Sequence, residues 1–348
     1  MIDMKTTRLL QLFFGFLLLF NISCNSDSEF TQEMYYGNGI LVANEGNFGK
    51  PNADVTFLTG DLSLKQDNIF SANNAGSNLG DVLQTIAFNG ENAYLLLNNS
   101  NKIQVVNRYN FKKVTEITSQ IDQPRYLAFA NNNIYVTNDK FNGEKYVAVY
   151  KASDYSFVKK ISFTDAAERV VEAGNNIFVQ NASYGFGNKI SYITTSNNEV
   201  QSTITLPNGD INKMITNNEK VYAIAAGTAD SYIYEISSAG SITKTTTLTG
   251  IANATNLEIE NGNFYFTSGN NVYKMALNAT TIPAPLFTVA SSTDPYSTLY
   301  GFNVINGGIF VSDANGFTED SKITVYSNTG SVIKTFTAGK GANGFYAN

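Results

Sequence analysis

Beyond the first two dozen residues, apolar positions come in short runs of four or five, broken by Asn, Gly, Ser and Asp. Runs of that length between turn residues predict β-strands, and no 3.6-residue periodicity interrupts them. The runs recur. Asn92-Ala93-Tyr94-Leu95-Leu96, Asn133-Ile134-Tyr135-Val136, Asn176-Ile177-Phe178-Val179, Lys220-Val221-Tyr222-Ala223, Asn263-Phe264-Tyr265-Phe266 and Gly308-Ile309-Phe310-Val311 place an aromatic at 94, 135, 178, 222, 265 and 310. The spacings are 41, 43, 44, 43 and 45 residues. An earlier copy without the aromatic, Gly39-Ile40-Leu41-Val42-Ala43, brings the count to seven.

Each unit carries four strand signals, which predicts an all-β fold: a seven-bladed β-propeller with four-stranded blades. The first unit has three, at Ile40–Ala43, Val55–Leu58 and Leu64–Ile69, and Gly344-Phe345-Tyr346-Ala347 stands alone at the far end. The C-terminal strand therefore closes the first blade, since an open edge would be sticky and costly. The propeller is expected to span residues 37–348.

The N-terminal segment reads as a targeting signal. Lys5 and Arg8 precede an apolar stretch from Leu9 to Phe20, too short for a membrane span. Asn21-Ile22-Ser23-Cys24 resembles a lipobox, although Asn21 stands where most carry Leu. Residues 1–23 are thus expected to be a lipoprotein signal peptide, and 24–36 an acylated Cys24 with an acidic tether. That implies an outer-membrane, lipid-anchored and cell-surface location.

Composition then narrows the chemistry. There is no His and one Cys, which excludes His-dependent triads, imidazole acid–base work and thiolate zinc sites. A net charge of -6 argues against nucleic acid.

The residue just before each inner strand should ring the channel mouth: Gln84, Arg125, Arg169, Lys213, Asn256, Tyr300 and Asn343. Three consecutive cations there would attract a carboxylate, a phosphate or carbonyls, unless Asp122, Glu168 or Asp210 pair with them. The long loops of the same face carry Phe48, Phe141, Tyr184, Phe186, Tyr296 and Phe317, candidate ligand contacts. Asn44-Glu45-Gly46-Asn47-Phe48 is the most distinctive string, and Asn44 and Glu45 join the candidates. Asp313, Glu319 and Asp320 offer oxygens of the kind calcium takes, without EF-hand spacing, and read as a solvated loop.

Asn44-Glu45-Gly46-Asn47-Phe48, Leu79-Gly80-Asp81-Val82, Asn98-Asn99-Ser100-Asn101-Lys102-Ile103 and Pro124-Arg125-Tyr126 together resemble the YncE-like propeller lipoproteins of Bacteroidota-type bacteria. The resemblance spans about residues 37–348. It implies a surface protein that captures cobalamin, as transported ligand rather than cofactor, for a TonB-dependent outer-membrane transporter. The alternatives are a calcium-dependent propeller lactonase, which the cationic ring opposes, and a propeller for protein contacts alone. No enzymatic activity is expected.

Overall fold

In each repeat the second strand is apolar on both faces, so it must find neighbours on both. The computed structural model describes residues 35–348 and shows how this is met. The signal sequence, Cys24 and most of the expected tether lie outside the described residues. Seven four-stranded antiparallel sheets follow one another along the chain. The inner strand of each blade neighbours that of the next, and Thr298–Ile305 neighbours the C-terminal strand, so the ring closes. This is a seven-bladed propeller.

Seven hydrophobic clusters fill the seven gaps between adjacent blades. Alternate residues of one strand feed two clusters. In Asn92–Leu97, Ala93, Leu95 and Leu97 face the first blade, while Tyr94 and Leu96 face the third. The six repeat aromatics are all buried. Outer strands have one wet face: Glu199–Thr205 and Val332–Thr337 are almost wholly exposed.

The first blade closes as the lone terminal strand requires. Ala342–Ala347 pairs antiparallel with Gly39–Asn44, with Val42 opposite Phe345. Asn348 fastens the closure. Its side chain accepts from Arg108 Nε (2.7 Å) and donates to the carbonyls of Tyr36 (2.8 Å) and Arg108 (2.9 Å). Tyr36, assigned to the tether from sequence, is fully buried between Phe57 and Phe111, so the folded body reaches at least that residue.

The expected outer strand Leu64–Ile69 is shortened to Lys65–Gln66, and a five-residue helix, α1 (Ile69–Asn73), takes up the chain that follows. It is helix where the sequence pattern predicts none. The Asp54 carboxylate accepts from the Phe70 and Ser71 N–H groups at 2.9 and 3.2 Å, satisfying donors that a short helix leaves unpaired. Ile69 and Phe70 fill the core place that a full outer strand would have covered.

Candidate functional site at the channel mouth

The ring positions are aimed by irregularities in the inner strands. Pairing slips around Gln84, around Arg125 and Tyr126, beside Lys213, around Asn256, around Tyr300 and at Asn343. A bulge leaves a residue unpaired and re-aims its side chain. In the third blade, Thr137 Oγ1 fills the gap, accepting from Tyr126 N at 3.0 Å and donating to the Glu168 carbonyl at 2.6 Å. In the fourth, the carbonyl of Gln180 receives the N–H of Glu168, and its own N–H goes to the carbonyl of Arg169.

Six of the seven ring residues, all but Arg125, line a cavity of about 460 Å³ together with Glu45, Tyr126, Glu258, Asn303 and Tyr346. Residues two positions further along the strand also reach it, as Val171, Ile215, Glu258 and Phe302 do. A second cavity of about 320 Å³ joins Glu45, Phe48, Gln84, Arg125, Tyr300 and Phe317 at the loop face. Most of the sequence candidates therefore meet at one end of the molecule.

Two of the three cations are already engaged. Arg125 donates through Nε and Nη2 to the Glu168 carboxylate at 2.8 and 2.7 Å, and through Nη1 to Gln84 at 2.5 Å. Burial disfavours its charge, but Glu168 outweighs this and raises its pKa. Lys213, 7% exposed, donates to Glu258 at 2.6 Å, and Glu258 also accepts from Asn303 at 2.8 Å. Burial lowers the pKa of Lys213 against the pull of Glu258, and the nearby Arg169 charge adds to the lowering. The pairings anticipated with Asp122 and Asp210 do not form: Asp122 holds Lys140, and Asp210 accepts from the Gly187 N–H. Arg169 lies over the Tyr126 ring, its carbon 4.2 Å from the centroid.

Glu45 sits where three blades meet. Its N–H goes to the Gly341 carbonyl, and its own carbonyl accepts from Val82. Burial pushes its carboxyl up, opposed by hydrogen bonds from Asn343 and Tyr300 and by the charge of Arg125. Burial and the neighbouring Glu45 raise the pKa of Tyr300, whose ring meets Phe317 edge-on at 4.8 Å. Asn256 has φ 58° and donates from Nδ2 to Thr267. Asn44 is not at the site. It is 2% exposed, bonded to Thr56 inside the first blade, because strand parity turns it away from the channel where Glu45 points.

On the same face Phe48, Phe141, Tyr184, Phe186 and Tyr296 stand 73–81% exposed, four on loops or turns and Phe186 at the start of a strand. The long loop expected to carry Tyr184 and Phe186 is instead an extended hairpin of Asn176–Ser183 and Phe186–Thr194, with Tyr184 (φ 52°) and Gly185 (φ 79°) at its tip. Two successive positive φ values mark a type I′ turn, and holding a tyrosine there is strained. The Tyr184 phenol is close enough to Arg125 to contribute to its raised pKa. Phe186 lines a lateral cavity with Asp165 and Lys189 rather than the channel.

Sequence reasoning missed Glu258 and Tyr126. Glu258 follows the ring residue Asn256 by two, so strand parity could have found it. Tyr126 faces the channel only because of the bulge, which leaves no sequence signal. Asp313 accepts from the Asn315 N–H at 2.9 Å. Among the described residues no group of three or more acidic or Cys side chains is arranged as a metal site.

A family model described as a domain of unknown function, DUF5074, matches residues 38–346. The chain belongs to the DUF5074 family. No curated protein matches it. Among solved structures, the DUF5074 propeller is similar to a quinoprotein alcohol dehydrogenase-like protein from Bacteroides thetaiotaomicron, with TM-score 0.68 and 15% identity, covering 88% of this chain and 77% of that one. It is also similar to the Dos1 propeller, with TM-score 0.59 and 11% identity over 89% and 86% of the chains. Dihydro-heme d1 dehydrogenase NirN, in complex with DHE, gives TM-score 0.57 and 11% identity over 90% and 76%. At these identities the likeness shows the fold alone.

Proposed function

We propose that this DUF5074 propeller is a non-enzymatic, lipid-anchored surface protein that captures a corrinoid on its loop face for a TonB-dependent outer-membrane transporter. The observation that carries the reading is the crown of five exposed aromatic side chains on one face, the face on which Phe48 borders a polar mouth. Large apolar groups so exposed are costly to keep in water, and together they mark an interaction site. A corrinoid suits that chemistry: its macrocycle offers faces for aromatic rings, and its amide and phosphate arms suit Gln84, Tyr300 and Asn256. The 460 Å³ channel would admit an arm while the macrocycle lies across the crown.

Tyr35 stacks on Tyr109 in a turn of the second blade, on the face opposite the crown. Isothermal titration of cobalamin into the wild type and into Tyr184→Ala/Phe186→Ala tests the reading. Binding in the wild type that weakens about tenfold or more in the double variant supports it. No heat with the wild type at micromolar protein ends the corrinoid reading.

A further inference from the structure

The charges of the channel do not pair off evenly. Glu168 is taken by Arg125 and Glu258 by Lys213. The Arg169 side chain makes no hydrogen bond or ion pair with any described residue, and its guanidinium lies over the face of Tyr126. A guanidinium lying over a ring keeps its N–H donors at its edge, outside the stacked contact. Here that edge borders a 460 Å³ cavity also lined by Lys213 and Asn256. The Arg169 charge also bears on Lys213, adding to the lowering of its pKa despite Glu258. The acid left over, Glu45, belongs to the first blade, three blades round the ring from Arg169. That side of the channel is therefore a cationic recess with unfilled donors, inside a protein of negative net charge.

We infer that the channel holds an anion-binding subsite, in which the Arg169 fork grips a carboxylate or phosphate group with Lys213 and Asn256 beside it. Both groups present two coplanar or near-coplanar oxygens that match a guanidinium edge, and both are stronger acceptors than a neutral carbonyl. The volume limits the occupant to a small organic anion, or to the anionic arm of a larger ligand seated on the crown. The free-anion form of the inference does not depend on the corrinoid reading.

The test uses the full chain in detergent. Melting is followed against inorganic phosphate and citrate, with sodium chloride at matched ionic strength as the reference. In parallel, cobalamin and cobinamide, which lacks the phosphate-bearing nucleotide, are titrated by calorimetry. The free-anion source predicts stabilisation beyond chloride in the wild type, with apparent affinity about tenfold weaker in Arg169→Gln and intermediate in Arg169→Lys. Lys244→Gln, on the exposed outer strand Ile242–Leu248 of the fifth blade, should leave it unchanged. The tethered-arm source predicts no free-anion effect, but a similar loss of cobalamin affinity in Arg169→Gln that spares cobinamide. If Arg169→Gln changes neither free-anion stabilisation nor the preference for cobalamin, the subsite does not exist. Failure of cobalamin to bind at all would overturn the corrinoid reading but leave the free-anion arm to stand or fall alone.

Discussion

Lys213 shows what the channel asks of single residues. Its ammonium lies 2.6 Å from Glu258, almost out of contact with water. A buried pair gains little over apolar packing, but removing one partner strands the other charge. Lys213→Met should cost about 3–5 kcal/mol in urea unfolding, and Lys213→Met/Glu258→Leu should recover most of it. A double variant no more stable than the single one would mean that Glu258 is not strained by the loss. Glu45 makes a second prediction. Because the folded state raises its pKa, the fold binds its proton more tightly than the unfolded chain does. Its contribution to stability is best below the ordinary carboxyl value of 4.5 and is lost as the pH rises through the folded value. Glu45→Gln should therefore raise the melting temperature at pH 7, by a margin that shrinks as the pH falls from the raised folded value towards 4.5 and is gone below it. A margin independent of pH would contradict this. The ring positions were legible in the sequence because the repeat spacing places them. Their partners were less so: Glu168 was one of three acids the sequence offered, while Glu258 was missed, and each lies one blade beyond the cation it holds, 43 and 45 residues away.

At the scale of elements, the second strands were easiest to read, since burial on both faces writes an unbroken apolar run. The outer strands contribute less to the core, and there the reading failed. Leu64–Ile69 has a strand-like composition, yet it pairs only at Lys65–Gln66 and runs into α1 at Ile69, and the helix donors are held by Asp54, 16 and 17 positions before them. Asn abundance also had a structural meaning not evident from composition. Among the described residues, more than half of the non-glycine positions at positive φ are Asn, which tolerates the left-handed turns between strands. The closing strand carries the prediction here. Phe345 is 2% exposed and packs at a tilt against Phe310 of the seventh blade, with ring centroids 5.3 Å apart. Phe345→Ala should destabilise by about 3–5 kcal/mol, as measured by chemical denaturation. A cost under about 1 kcal/mol would mean that the junction of blades seven and one does not depend on this strand.

For the whole molecule, ring closure makes the two faces unequal. One carries tight Asn-rich turns, the entry of Tyr35 and the Asn348 latch. The other carries the long loops, the aromatic crown and the mouth of a polar channel. The division could be foreseen from loop lengths, whereas the inward turn of Tyr300 and Phe317 against each other depends on packing across the mouth. If Cys24 is the acylated anchor, Cys24→Ala should move the protein from the membrane fraction to the soluble export fraction, or leave an unprocessed precursor. Fractionation like the wild type would contradict the anchor. The central claim concerns the face itself. Hydrogen–deuterium exchange with and without saturating cobalamin tests it most directly. The account predicts added protection in residues 45–53, 139–145 and 183–187, with none in the turns at 131–132, 152–156 and 261–262. Protection confined to those turns, or no change on either face, would contradict it.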